Sequence, residues 1–178
     1  MIFISAGHFN YDAGAISGKY KENQLSIEFR DLVIANLKAS GASYIQDNDS
    51  ETLSDYLRRI KTGNGSVVVE IHWNASSNPK ATGTEVLIQD KHNQISRDLA
   101  QELSQGLSSI MKISNRGVKT ESQSARGKLA FTREEGACAL IEMCFLSNPK
   151  DMESYEKNKC ILARYVADTL IKYDAKVV

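Results

Sequence analysis

The run Ser66-Val67-Val68-Val69-Glu70-Ile71-His72 constrains this chain more than any other segment. Gly63 and Gly65 precede it, and its β-branched residues read as a strand in the middle of a sheet. Met1 to Ser5 reads as another short buried strand, running into the turn-like Ala6-Gly7-His8. A helix is expected over about 22–40, where Leu25, Phe29, Leu32, Val33 and Leu37 share one face and Gly41 acts as a stop. A strand at 43–46, a helix at 52–62 and a strand at 84–89 follow. A helix over 93–112 aligns Ile95, Leu99, Leu103, Leu107 and Ile110. Strands at 128–132 and 138–145 and a closing amphipathic helix at 158–173 complete the pattern. Alternation of strands and helices across 178 residues implies one α/β domain. Its sheet is expected to be twisted and mostly parallel, with about six strands and helices on both faces.

Composition removes several function classes. Lysine plus arginine and aspartate plus glutamate both number 22, so no global positive field attracts nucleic acid or an anionic membrane. Cys138, Cys144 and Cys160 form no CxxC pair, which argues against a thiolate zinc site or a disulfide framework. No stretch approaches the ~18 apolar residues of a membrane span. The start, Met-Ile-Phe-Ile-Ser-Ala-Gly-His, lacks a basic region and a long apolar core, so it does not read as a signal peptide.

His8, His72 and Glu142 each fall at or just past the end of an expected central strand, the sheet edge where ligands bind in open α/β folds. Taken singly, each has an ordinary explanation. A lone histidine is more often structural than a ligand, and Glu22 suits the first turn of its helix through the helix dipole. Glu142 is the most informative, as the single carboxylate in the apolar run Cys138-Ala139-Leu140-Ile141-Glu142-Met143-Cys144-Phe145. Such a group needs a partner, and a metal neighbour or an acid–base role would each supply a reason for it. Two histidines and a carboxylate with an open fourth position form a known catalytic zinc set. Glu70 lies two residues before His72, on the same strand face, and is a candidate to orient a ligand.

The motifs resemble those of the zinc-dependent N-acetylmuramoyl-L-alanine amidases, the Amidase_3 family. The loop from Ser5 to Ala15, the glycine loop Gly18-Lys19-Tyr20-Lys21-Glu22 and Glu70-Ile71-His72-Trp73-Asn74-Ala75 are similar in order to that family's ligand motifs. Leu140-Ile141-Glu142-Met143-Cys144-Phe145-Leu146-Ser147-Asn148 resembles its catalytic-glutamate segment, and Arg116-Gly117-Val118-Lys119 a further stretch. The departures are Ser5 and Phe9-Asn10 in the first loop, and Glu70 where many relatives have serine.

The resemblance implies that His8, Glu22 and His72 bind one Zn2+ per chain and that Glu142 handles protons. Glu70, Asn74, Arg126 and Arg133 are candidates for ligand support or substrate contact. The implied reaction is hydrolysis of the amide between N-acetylmuramic acid and L-alanine, with peptidoglycan as partner and the chain acting as a monomer. Alternatives are a zinc peptidoglycan peptidase or deacetylase, or a wall-binding module without catalysis. With neither a leader nor a separate wall-binding domain visible in the sequence, the chain is expected to be made in the cytoplasm. It would then reach the wall as a phage or prophage lysin released through a holin, or as an autolysin whose leader has been removed.

Overall fold

The computed structural model describes residues 1–124 and 127–176. A six-stranded sheet has the order β4-β1-β5-β8-β6-β7. Its strands are β1 (Ile2–Ala6), β4 (Tyr44–Gln46), β5 (Val67–Asn74), β6 (Thr84–Ile88), β7 (Asn115–Thr120) and β8 (Ala137–Phe145). Neighbours pair in parallel except β6 with β8, so β6 and β7 run opposite to the other four. The expected mostly parallel sheet is therefore present. A small hairpin, β2 (Ile16–Ser17) and β3 (Tyr20–Lys21), precedes α1 (Glu22–Ala39). The other helices are α2 (Leu53–Arg59), α3 (Gln94–Met111) and α4 (Pro149–Asp174).

The period of two along each strand divides the sheet into unlike faces. Ile2, Ile4, Val67, Val69, Ile71, Val86, Ala139 and Ile141 point into the main core, where α1, α3 and α4 pack on them. Phe3, Val68 and Cys138 point the other way, into a smaller cluster closed by Tyr56 and Ile60 around α2 and by Phe131. Helices cover both faces, as expected, but very unequally. No helix among the described residues is long and apolar enough to cross a membrane.

Three local expectations need correction. The segment 128–132 is not a strand: it enters a single 3-10 turn, Phe131–Arg133, with Phe131 buried in the smaller cluster and the Leu129 amide donated to Glu121. The sixth strand is instead β7, at the sheet edge, whose polar Asn115-Arg116-Gly117 start lacks strand periodicity and is held by pairing with β6. Helix α4 begins nine residues earlier than expected, at Pro149, behind an Asn148 cap whose side chain accepts from the amides of Lys150 and Asp151.

Candidate metal centre

Three donor residues converge at the end of the parallel strands. Glu22 is the first residue of α1, delivered there by the hairpin; its Oε2 accepts from the Ala15 amide at 2.9 Å and its Oε1 from the Trp73 amide at 3.2 Å. His72, near the end of β5, places Nδ1 at 2.9 Å from Glu22 Oε1, while His8 places Nε2 at 3.1 Å from Glu22 Oε2. One donor atom from each of His8, Glu22 and His72 lies within 4.8 Å of the others.

The backbone is shaped to permit this approach. His8 has a φ of 69°, a left-handed conformation that costs a non-glycine residue on the order of 1 kcal/mol or more. Ser26 Oγ, donating to the Gly7 carbonyl at 2.6 Å, and Asp12 Oδ2, 2.8 Å from His8 Nδ1, hold that loop. A Cβ at Gly7 would come within 2.4 Å of the His72 ring, and one at Gly14 within 2.7 Å of both His8 Nε2 and Glu22 Oε2. Among the described residues His8 Nε2 is buried without a hydrogen bond. A buried imidazole nitrogen 3.1 Å from a carboxylate oxygen that makes no hydrogen bond with it, in a cradle that admits no extra methyl, fits a cation bound by two imidazoles and one carboxylate. Zinc prefers that donor set.

The electrostatics agree. Burial alone would raise the Glu22 carboxyl, but contacts with His72 and His8 outweigh it and hold the group far below the usual carboxylate range. Burial opposes a charged His72, yet the carboxylates of Glu70, Glu22 and Glu142 raise it; Glu22 and Asp12 do the same for His8 against its own burial. The pocket thus draws positive charge, as protons or as a metal ion that displaces them.

Glu142 is the cross-strand partner of His72 on one side and of Glu85 on the other, so the three side chains form a row on one sheet face. Glu70 is buried with Oε2 3.4 Å from His72 Nε2, the ring nitrogen opposite the one that faces Glu22. A cavity of about 350 Å3 on the Glu70 side is lined by Ser5, His8, Phe9, Asp12 and His72, so the unusual Ser5 and Phe9 form its wall. A groove of about 480 Å3 on the other side is lined by Glu22, Asn74, Glu85, Arg116, Lys119 and Glu142.

The remaining candidates separate clearly. Asn74 donates from Nδ2 to Glu85 Oε1 at 3.1 Å in the groove. Arg133 is not brought there: it pairs with Glu121 at 2.6 Å and lines neither cavity. Arg126 lies outside the described residues. Trp73 belongs to the core, edge-on to Phe29 and Tyr155. Cys144, two residues after Glu142, does not share its face, because a register irregularity between His72 and Asn74 turns it into the main core. The groove's cations are instead Arg116 and Lys119, and their signal was the Arg116-Gly117-Val118-Lys119 stretch on an unexpected strand.

A sequence profile described as N-acetylmuramoyl-L-alanine amidase (Amidase_3) matches residues 2–172. The structure is similar to that of an N-acetylmuramoyl-L-alanine amidase from Clostridium difficile 630, with a TM-score of 0.79 and 26% identity, covering 97% of this chain and 95% of that one. The germination-specific N-acetylmuramoyl-L-alanine amidase of Bacillus subtilis is 25% identical over 89% of this chain and 72% of its own length. The amidase LytC of the same organism is 25% identical over 84% of this chain but only 30% of its own.

Proposed function

The chain belongs to the N-acetylmuramoyl-L-alanine amidase family of peptidoglycan hydrolases, and from that premise we propose that it cleaves the lactyl–L-alanine amide with one Zn2+ held by His8, Glu22 and His72. The observation that carries this reading is the convergence of those three donor sets within 4.8 Å, beside Glu142 in strand register with His72. Bound there, Zn2+ would supply Lewis acidity to the scissile carbonyl and acidify water. Glu142 accepts the proton of the attacking water on its carboxylate and delivers it to the alanine nitrogen as the C–N bond breaks. The products are a lactyl carboxylate and a stem peptide with a free amino terminus. Asp12 holds His8 through Nδ1, and Glu70 holds His72 through Nε2, each fixing the ring whose other nitrogen faces Glu22.

Mass spectrometry of peptidoglycan digested by the purified protein, with metal analysis of the same sample, tests this reading. Intact stem peptides beginning with free L-alanine and one zinc per chain are expected. Trimmed peptides or freed acetate would move the chain to the peptidase or deacetylase alternative, and binding without new amino groups would move it to a wall-binding module. The lysin setting expected from the sequence belongs to the same proposal: a holin gene beside this one supports it, and a neighbourhood of sporulation or wall-turnover genes removes it.

A further inference from the structure

The groove on the Glu142 side carries a cationic device that the hydrolytic chemistry does not use. Glu85, buried on β6, takes Arg116 Nε at 2.6 Å and Lys119 Nζ at 2.5 Å on the same oxygen, Oε2, while Asn74 occupies Oε1. Two cations therefore share one carboxylate, which alone does not neutralise both. Both cations remain partly exposed, at 34% and 28%, in the groove that Glu142 also lines.

Arg116 is held in more than one way. Its stem crosses Gly83, where a Cβ would come within 2.9 Å of Arg116 Cγ, and its guanidinium carbon stands 5.0 Å from the centroid of the Phe145 ring. Engaged with Glu85 through Nε, it has no hydrogen bond from its two terminal nitrogens among the described residues and can offer them to another acceptor. A planar fork fixed in advance suits a carboxylate, since little side-chain entropy remains to be lost on binding.

Distance determines which carboxylate. Glu85 is the direct cross-strand partner of Glu142, and Arg116 and Lys119 reach it from β7, the next strand out, so the cations stand one to two strand spacings, ~5–10 Å, from the proposed acid–base group. An extended peptide covers roughly 3.5 Å per residue. The charge therefore meets a group on the second or third residue past the scissile amide, one or two beyond the alanine. On the Glu70 side, the cavity lining has Asp12, Asp47, Glu51 and Glu70 against Lys128. Arg59 pairs with Glu51, and Arg30 with Asp47 while also meeting Asp31 and Asp49. The groove thus offers a peptide carboxylate two adjoining cations, Arg116 and Lys119, where the cavity offers one lysine among four carboxylates.

We propose that Arg116 and Lys119, clamped by Glu85, bind a carboxylate of the stem peptide one or two residues beyond the alanine and so set the direction in which substrate lies across the metal centre. This rests on the amidase reading. The test uses the full chain with zinc and two soluble muramoyl-L-alanyl dipeptides that differ only in a free carboxylate or a carboxamide on the second residue. The acid is expected to be cleaved with about tenfold higher kcat/KM, carried mainly by KM, with the preference shrinking as salt rises. Arg116→Met and Lys119→Met should each pull the acid-to-amide ratio toward one, with melting curves and metal content recorded alongside. Equal rates for acid and amide in the wild type, or a ratio unchanged in both variants, would overturn the subsite. The wild-type ratio needs no variant, so a variant that fails to fold leaves the test standing. Cleavage of neither compound, with peptidoglycan also left intact, would instead remove the amidase reading and the subsite with it.

Discussion

The two faces of the sheet are built from the same strands yet do different work. The face under α1, α3 and α4 is apolar over nearly its whole width, and its residues are fully buried. The opposite face is apolar only at one end, around Phe3, Val68 and Cys138; toward the other end it carries Ser5, Glu70, His72, Glu142 and Glu85. Large helices on one side hold most of the buried core, so a short helix suffices on the other and the strand ends stay open to substrate. Polar groups whose burial costs free energy are concentrated where chemistry needs them.

Adjacent residues of β8 give the sharpest way to break that division. Glu142→Gln is expected to cut turnover by about 10³-fold with zinc content retained, the usual scale for a lost acid–base group. Ile141→Ala, one residue earlier on the apolar face, should cost about 3 kcal/mol, a fall in melting temperature of roughly 10 °C, while the folded fraction keeps its kcat. Peptidoglycan turnover, metal analysis and thermal melting separate the two effects. If Glu142→Gln destabilises the fold as much as Ile141→Ala does, the faces are not functionally distinct.

A smaller effect is expected at Glu70, which is buried on the polar face beside a ring nitrogen of His72. Glu70→Ser should weaken zinc binding by about tenfold to a hundredfold in a chelator competition, because the ring loses the partner that orients it. The metal-free protein should melt no lower than wild type, since a buried carboxylate has been removed. Unchanged zinc affinity would make Glu70 a bystander and leave Asp12 as the one orienting carboxylate at the centre.

The parts of this molecule that were readable in the sequence are those where one local pattern decides the outcome. The valine run of β5, the lone carboxylate in β8 and the heptad-like stripe of α3 each announce burial, and those elements stand within a residue or two of expectation. The ends of β1 and β5 followed from the same pattern, and with them the meeting of His8 and His72. What escaped depends on partners distant in the chain. Edge strand β7 has scant periodicity of its own; β6 holds it, and only there do Arg116 and Lys119 reach Glu85. Nothing in the spacing of its helix singles out Arg30, yet it is buried against Asp47 and Asp49 and, through Asp47, secures the amide of Ala6 just ahead of the His8 loop. The first turns of α4 were legible in Ser147-Asn148-Pro149 as capping chemistry, but apolar spacing is sparse there and periodicity places the start too late.

The Glu85 cluster offers the finest test, because it sits where the polar face meets the sheet edge and mixes anchoring with recognition. Burial alone would raise the Glu85 carboxyl, but bonds from Lys119, Arg116 and Asn74 prevail and lower it from its ordinary 4.5. A carboxyl lowered on folding adds stability above its unfolded value, and that stability is lost as pH falls through the folded value. Wild type should therefore melt above Glu85→Gln at pH 7, by about 2 °C given how much solvent reaches the two cations. The gap should narrow as pH falls below that ordinary value of 4.5 and the folded carboxyl takes up its proton. The variant also frees Arg116 and Lys119 from their shared anchor, so its preference for acid over amide substrate should survive with weaker salt-independent discrimination. A melting gap that stays constant down to pH 3 would mean that Glu85 acts by packing rather than by charge, and the polar face would then extend no further than Glu142.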